Sequence, residues 1–286
     1  MFCTGATKAG TSWLHRQIAD HPECHMRAIK ELHYFDALEF RNWNTWTRGL
    51  TERRDRVLAE TVGATPDVLA NKQRVADDAM ELCHLLETRK PDDSAYLAYL
   101  TRGLSDQKLI GDFTPAYGLL PVERLRHMAG LVANVRFVYI LRDPIQRLWS
   151  HARMIAGRRA DSPDEIPQKS VNIVRRVMRG KEDEIEKRSD YVDAVERLRA
   201  ATGPGQLYLG FYEDMFNQDA MNRLTAFLGI SPRATSFDKR VHKSPVAQMR
   251  PGQWKELREF LAPQYDGLRK MLGTLPPAWG KEPMKV

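Results

Sequence analysis

The residues best equipped for chemistry stand near the start of the chain, as Gly5-Ala6-Thr7-Lys8-Ala9-Gly10-Thr11-Ser12. Glycines let a backbone approach an anion, successive N–H groups form a concave donor set, and a helix opening just after Gly10 adds its partial positive charge. The spacing is that of a G-x-x-x-x-G phosphate loop followed by Thr-Ser, yet no Lys follows the second glycine; one stands at position 8 instead. In nucleoside triphosphatases that Lys must reach the β and γ phosphates, so a Lys at position 8 suits a shorter chain such as a phosphosulfate. A glycine-containing strand-to-helix turn with an incidental Lys explains the same residues.

A second candidate anion site lies far along the chain. Arg142 offers a forked donor and Ser150 a hydroxyl. Ser150 is seven positions after Asp143, which at 100° per residue returns it to within about 20° of that residue's helical face. The alternative pairs Arg142 with Asp143 or a neighbouring carboxylate and makes Ser150 a small residue at a helix contact.

The elements around these residues follow from the apolar pattern. Short apolar runs (Met1 to Thr4, Val135 to Leu141, Leu207 to Tyr212) alternate with longer amphipathic stretches, which predicts an α/β fold with a parallel sheet. Val135 to Leu141 is almost continuously apolar, as a strand covered on both faces must be. It stops at Arg142-Asp143-Pro144, where Asp suits an N-cap and Pro the first helical residue; a helix through about Ala156 follows. From Glu52 to Gly103 the pattern turns helical and polar, with Val75, Ala79, Leu82 and Leu86 on one face and a turn at Gly63 to Asp67. We read it as a helical insertion at about 41–91 in a single domain of 1–286. Asn217 to Leu228 reads as a helix stopped by Gly229, Ser231 to Gly252 as a loop, and Gln253 to Leu272 as the last helix.

Composition narrows the class. The 286 residues, 42% hydrophobic, suffice for a buried core, and no window holds the roughly 18 uninterrupted apolar residues of a membrane span. Without the basic-then-apolar plan of a secretory signal, the expected location is cytoplasmic. Cys3, Cys24 and Cys83 are widely spaced, form no CxxC pair and have no nearby His cluster, so free thiols and no metal are expected. The net charge of +7 favours a polyanionic partner, but basic residues are spread along the chain without a nucleic-acid motif, so nucleic acid is not expected.

Taken together, the two sites resemble those of sulfotransferases that use 3'-phosphoadenosine-5'-phosphosulfate (PAPS), particularly bacterial members and the catalytic domains of heparan sulfate sulfotransferases. Lys8-Ala9-Gly10-Thr11-Ser12 is similar to their 5'-phosphosulfate loop, and Arg142-Asp143-Pro144 through Arg147 to Ser150 to their 3'-phosphate motif. The similarity continues in Lys30-Glu31-Leu32-His33-Tyr34-Phe35-Asp36, Gly111-Asp112-Phe113-Thr114-Pro115-Ala116-Tyr117 and Gly210-Phe211-Tyr212-Glu213-Asp214, and omits about 41–91. It implies a P-loop-like three-layer fold, PAPS as co-substrate and 3'-phosphoadenosine-5'-phosphate (PAP) as product. It also implies that Lys8 contacts the bridging oxygen, that Ala9, Gly10, Thr11 and Ser12 hold the 5'-phosphate, and that Arg142 and Ser150 hold the 3'-phosphate. Tyr191 and the loop His242-Lys243-Ser244 to Arg250 resemble segments that close over the nucleotide.

In the resembling 3-O-sulfotransferase segment the Glu acts as base, which implies Glu31 as base with His33 as helper and a structural Asp36. If the segment is extended, Glu31 and His33 project to one side; an exposed Glu paired with Lys30 and a loop-capping His is the plainer alternative. Heparan sulfate enzymes often carry Lys before Thr-Pro-x-Tyr, but Phe113 stands here, which weakens a sulfated-polysaccharide acceptor. Trp279 resembles an aromatic of the acceptor cleft and is expected to pack the last segment instead. Carbohydrate, lipid and small-alcohol acceptors stay open, with O-sulfation ahead of N-sulfation. Two rivals remain: a P-loop nucleotide kinase, with Asp143 as metal ligand, and a non-catalytic binder of polyanions.

Overall fold

A parallel strand pair needs a long crossover between its members, and this chain's amphipathic stretches supply them. The computed structural model describes residues 1–59, 63–237 and 247–281. Among these, β1 (Phe2–Gly5), β2 (Cys24–Met26), β3 (Leu109–Phe113), β4 (Phe137–Leu141) and β5 (Leu207–Phe211) form one parallel sheet in the order β2-β3-β1-β4-β5. Helix α1 (Thr11–Ala19) joins β1 to β2, and α2 (Tyr34–Glu39), α3 (Trp43–Ala59), α4 (Pro66–Glu87) and α5 (Asp93–Thr101) lie between β2 and β3. Helix α6 (Val122–Ala129) precedes β4. Then α7 (Pro144–Arg159), α8 (Ile166–Val177), α9 (Asp183–Lys187) and α10 (Tyr191–Ala201) lead to β5, which α11 (Gln218–Leu228), α12 (Gln253–Phe260) and α13 (Ala262–Leu272) follow.

All five residues of β4 are buried, as their continuous apolar character requires, whereas β5 at the sheet edge is half-buried throughout. The Phe2 ring lies 5.5 Å from Phe137 and 5.8 Å from Phe35, so the core runs from β4 across β1 to α2. Asp143 caps α7, accepting the Gln146 N–H at 2.9 Å, with Pro144 at the first helical position. Gly229 ends α11 at φ 75°.

Two expectations are corrected, and two strands lie where none was expected. The helix expected over Gln253 to Leu272 is two, broken at Leu261, because Pro263 offers no N–H and opens α13. The helical stretch expected from Glu52 begins earlier, at Trp43. Strands β2 and β3 carry no clear apolar run: His25, Gly111 and Asp112 interrupt them, and the crossovers that cover them supply the burial.

In the insertion, the first half of α4 is exposed and its second half buries Ala79, Leu82, Cys83 and Leu86. Asp78, 3% exposed, fastens α4 to the segment just after β2: it accepts the Ile29 N–H and the Arg27 Nε, each at 2.8 Å. The insertion is thereby anchored just before Glu31.

Phe137, fully buried in β4, is expected to cost about 3–5 kcal/mol when replaced by Ala, while Val132→Ala, at a position 48% exposed, stays within about 0.5 kcal/mol. Urea-denaturation midpoints of the two variants measure the difference.

Candidate active site

Gly5 ends β1 and Gly10 precedes α1, so Ala6 to Gly10 form the loop between strand and helix. Gly10 has φ 84°, and a Cβ there would stand 2.9 Å from the Tyr212 ring, so both conformation and space require glycine. The first helical bond runs from the Leu14 N–H to the Gly10 carbonyl, which leaves the Thr11, Ser12 and Trp13 amides ahead of helical pairing. Lys8 is half-buried at φ 71°. Burial and the neighbouring Arg142, Arg153 and Arg158 lower its pKa, with Glu31 the opposing charge.

Arg142 follows β4 directly. Its Nη1 donates to the Lys8 carbonyl at 3.0 Å and its guanidinium lies 4.5 Å from the Tyr212 ring centre, so it is fixed against the phosphate loop. The Arg142 N–H donates to the hydroxyl of Tyr191, which is fully buried at the start of α10, 3.3 Å away. Tyr191 thus lies beneath Arg142. Ser150 is buried on α7 at 3% exposure.

Arg147, one turn earlier on α7, is a fully buried cation that the sequence reading did not single out. It donates to the Ser189 hydroxyl and, at 3.3 Å, to His151 Nδ1, and among the described residues no carboxylate pairs with it. Burial lowers its pKa, and burial with Arg147, Arg188 and Lys8 nearby lowers that of His151 to about 2. Arg147 Nε and His151 Nε2 are buried without an acceptor. Buried cations and donors of this kind are costly unless an anion completes them.

Across the sheet, Glu31 and His33 come together, though not as an extended pair. Both are left-handed, at φ 64° and 54°, and their side chains meet because the loop turns twice. His33 Nε2 is 3.7 Å from Glu31 Oε2 and its Nδ1 is 2.8 Å from Asp36 Oδ2, while Lys30 Nζ donates to Glu31 Oε1 at 2.6 Å. For His33, burial favours the neutral ring, but Asp36 and Glu31 prevail and raise its pKa to about 9. For Glu31, burial favours protonation, but the His33 hydrogen bond and Lys30 prevail and hold it at about 2. At neutral pH the pair is a carboxylate beside an imidazolium, and the group able to accept a proton is Glu31.

The insertion reaches this pair. The Trp46 ring of α3 stacks on His33 at 3.4 Å between centroids and 9° between planes, held by its Nε1 donating to Asn42 Oδ1 at 3.0 Å. Nothing in the local pattern announces this contact beyond two tryptophans three positions apart. Phe113 is 2% exposed, with the His15 ring edge-on at 5.0 Å, so the position that resembling enzymes give to Lys is interior here. Trp279 is 8% exposed and packs edge-on against Phe211 and Tyr265. Arg250 pairs with Glu256 on α12, and no contact among the described residues joins it to the phosphate loop. Lys243 lies outside the described residues. Trp13 and Phe237 also escaped the sequence reading; their rings stack 6.0 Å apart beside the loop.

The profile of the sulfotransferase family matches residues 1–233. No curated protein sequence matches the chain. The crystal structure of a sulfotransferase from Alicyclobacillus acidocaldarius superposes with a TM-score of 0.62 at 19% identity, covering 98% of each chain, and so shares the α/β fold with its central parallel sheet. The sulfotransferase domain of the Synechococcus PCC 7002 olefin synthase aligns at 17% identity with a TM-score of 0.45, over 98% of this chain and 89% of that one.

Because His33 binds its proton more tightly when folded, its contribution to stability is complete below its ordinary 6.5 and is lost as pH rises through about 9. An NMR titration of labelled histidine is expected to place His33 near 9, and Asp36→Asn to lower it by more than about one unit.

Proposed function

The chain belongs to the sulfotransferase family, and on that premise we propose that it transfers a sulfuryl group from PAPS to an acceptor hydroxyl, with an amine as the second choice. The observation that carries this reading is the crowd of cations at the loop after β1: Arg142, Arg153 and Arg158 all act on Lys8, and buried Arg147 has no carboxylate partner among the described residues. Such self-repulsion is favourable once a multiply charged ligand enters.

Two anionic ends call for two donor sets. The amides after Gly10 with the Thr11 and Ser12 hydroxyls suit a 5'-phosphate at a helix N-terminus. Arg142 and Ser150 suit a 3'-phosphate, with Tyr191 holding the Arg142 backbone. Lys243 and Arg250 are proposed as further contacts on the closing segment.

Sulfuryl transfer forms a bond from acceptor oxygen to sulfur and breaks the bond from sulfur to the bridging oxygen, whose electron pair stays on the departing phosphate. Lys8 stands against the charge that grows there. The Glu31 carboxylate takes the acceptor's proton, and His33, held by Asp36 and Trp46, orients it. The acceptor is a carbohydrate, lipid or small alcohol, and the buried Phe113 argues against a polysaccharide already sulfated. No helix among the described residues is long and apolar enough to cross a membrane; we place the reaction in the cytoplasm.

The kinase alternative loses its metal ligand. Both Asp143 oxygens are engaged, one by the Gln146 N–H and the other by the Tyr265 hydroxyl at 3.0 Å and the Gly280 N–H at 2.6 Å.

With radiolabelled PAPS and a panel of acceptor classes resolved by mass spectrometry, a sulfated product is expected. Lys8→Ala is expected to lower kcat about 100- to 1,000-fold and Glu31→Gln about 100- to 10,000-fold. Arg142→Ala is expected to weaken PAP binding about 10- to 100-fold. Turnover of the Glu31 variant near that of the parent would remove it from the role of base.

A further inference from the structure

Left-handed backbone at two non-glycine residues within three positions persists only where surrounding structure over-determines it. Glu31 and His33 are such residues, so something must hold the backbone between and after them. The Leu32 N–H donates to the Thr114 hydroxyl at 2.9 Å and the Tyr34 N–H to the Tyr117 hydroxyl at 3.0 Å. Both hydroxyls in turn donate to one carboxylate: Thr114 to Asp112 Oδ1 at 2.6 Å and Tyr117 to Asp112 Oδ2 at 2.8 Å. Tyr96 adds a third bond to Oδ2 at 2.8 Å but touches no N–H of the loop. Asp112, Thr114 and Tyr117 are at most 1% exposed, so water does not substitute for these bonds.

The direction of the chain of bonds is the informative part. A hydroxyl has one hydrogen, and Asp112, whose pKa burial raises against the pull of the Thr114, Tyr117 and Tyr96 hydroxyls, is acceptor-only in its ionised form. With their hydrogens turned toward Asp112, Thr114 and Tyr117 can present only lone pairs to the loop, which are what its N–H groups need. We propose that Asp112, acting through Thr114 and Tyr117, is the positioning residue that sets Glu31 and His33 in their paired geometry. It explains what Gly111 to Tyr117 contributes to a site on the neighbouring loop: a template at the end of β3 that dictates the backbone after β2.

The kinetic consequence rests on Glu31 being the base; the geometric one does not. Two readouts therefore separate the claims: the His33 titration and steady-state kinetics, with PAP binding as control. The groups facing His33 are Glu31, Asp36, Lys30, the Trp46 ring and, behind Thr114, Asp112. Thr114→Val keeps the shape and removes the hydroxyl. It is expected to lower the proton affinity of His33 about tenfold or more, as the imidazolium loses its fixed carboxylates. It should lower kcat about 30-fold while PAP affinity stays within about twofold, since the phosphate loop follows a different strand.

Thr114→Ser restores the hydroxyl and is expected to recover both values, and Tyr96→Phe to leave both unchanged despite a loss of thermal stability. Tyr117→Phe repeats the test should the Val variant fail to fold. An unshifted His33 titration in folded Thr114→Val, or a Ser variant as impaired as the Val variant, would overturn the proposal. A parent enzyme that sulfates no acceptor would instead overturn the assigned activity, leaving the titration to judge the positioning role.

Discussion

Everything at this site depends on the parallel pairing of β1 with β4. The register sets Phe2 against Phe137, Cys3 against Val138 and Gly5 against Tyr139, and the Ala6 N–H continues it to the Ile140 carbonyl at 2.9 Å. Parallel neighbours end at the same rim of a sheet, so the loop after β1 and the helix after β4 are brought side by side although the sequence keeps them far apart. A Cβ at Gly5 would stand 2.3 Å from the Tyr139 ring, which shows how closely the two strand ends approach. The pairing also explains why Arg142 reaches back to the Lys8 carbonyl.

The same rim carries two electrostatic zones of opposite design. Around β1 and β4 cations gather, and burial with like charge nearby makes Lys8 and Arg147 harder to keep charged, so both have lowered pKa values. Around the ends of β2 and β3 the order is reversed: Asp36 and Glu31 flank His33 and raise it to about 9. The first zone gathers like charges, whereas the second pairs opposite charges and holds a proton on His33. A site that joins an anionic donor to an acceptor losing its proton needs both.

What the sequence made legible was local. The strand, loop and helix at the start of the chain could be placed because strand, glycines and helix start lie within twelve residues, and the start of α7 because capping is written in the adjacent Asp143 and Pro144. The break at Pro263 was equally local, yet the expectation of one helix over Gln253 to Leu272 passed over its missing N–H. Less legible was whatever depends on contacts across the chain. Strands β2 and β3 owe their burial to helices from elsewhere, Trp46 meets His33 through the fold of the insertion, and the complete burial of Arg147 leaves no mark on the sequence around it. An extended Glu31 to His33 segment is the simplest way to bring two residues to one side. Hydroxyls at Thr114 and Tyr117 impose another way.

The central claim is that the two anion sites are built for a nucleotide with phosphates at both ends rather than for a triphosphate with its metal. Calorimetric titration of the protein with PAP, set against ATP with magnesium, addresses it directly. The account predicts that PAP binds at least about tenfold more tightly and that magnesium leaves its affinity unchanged. A preference for ATP with magnesium would contradict it.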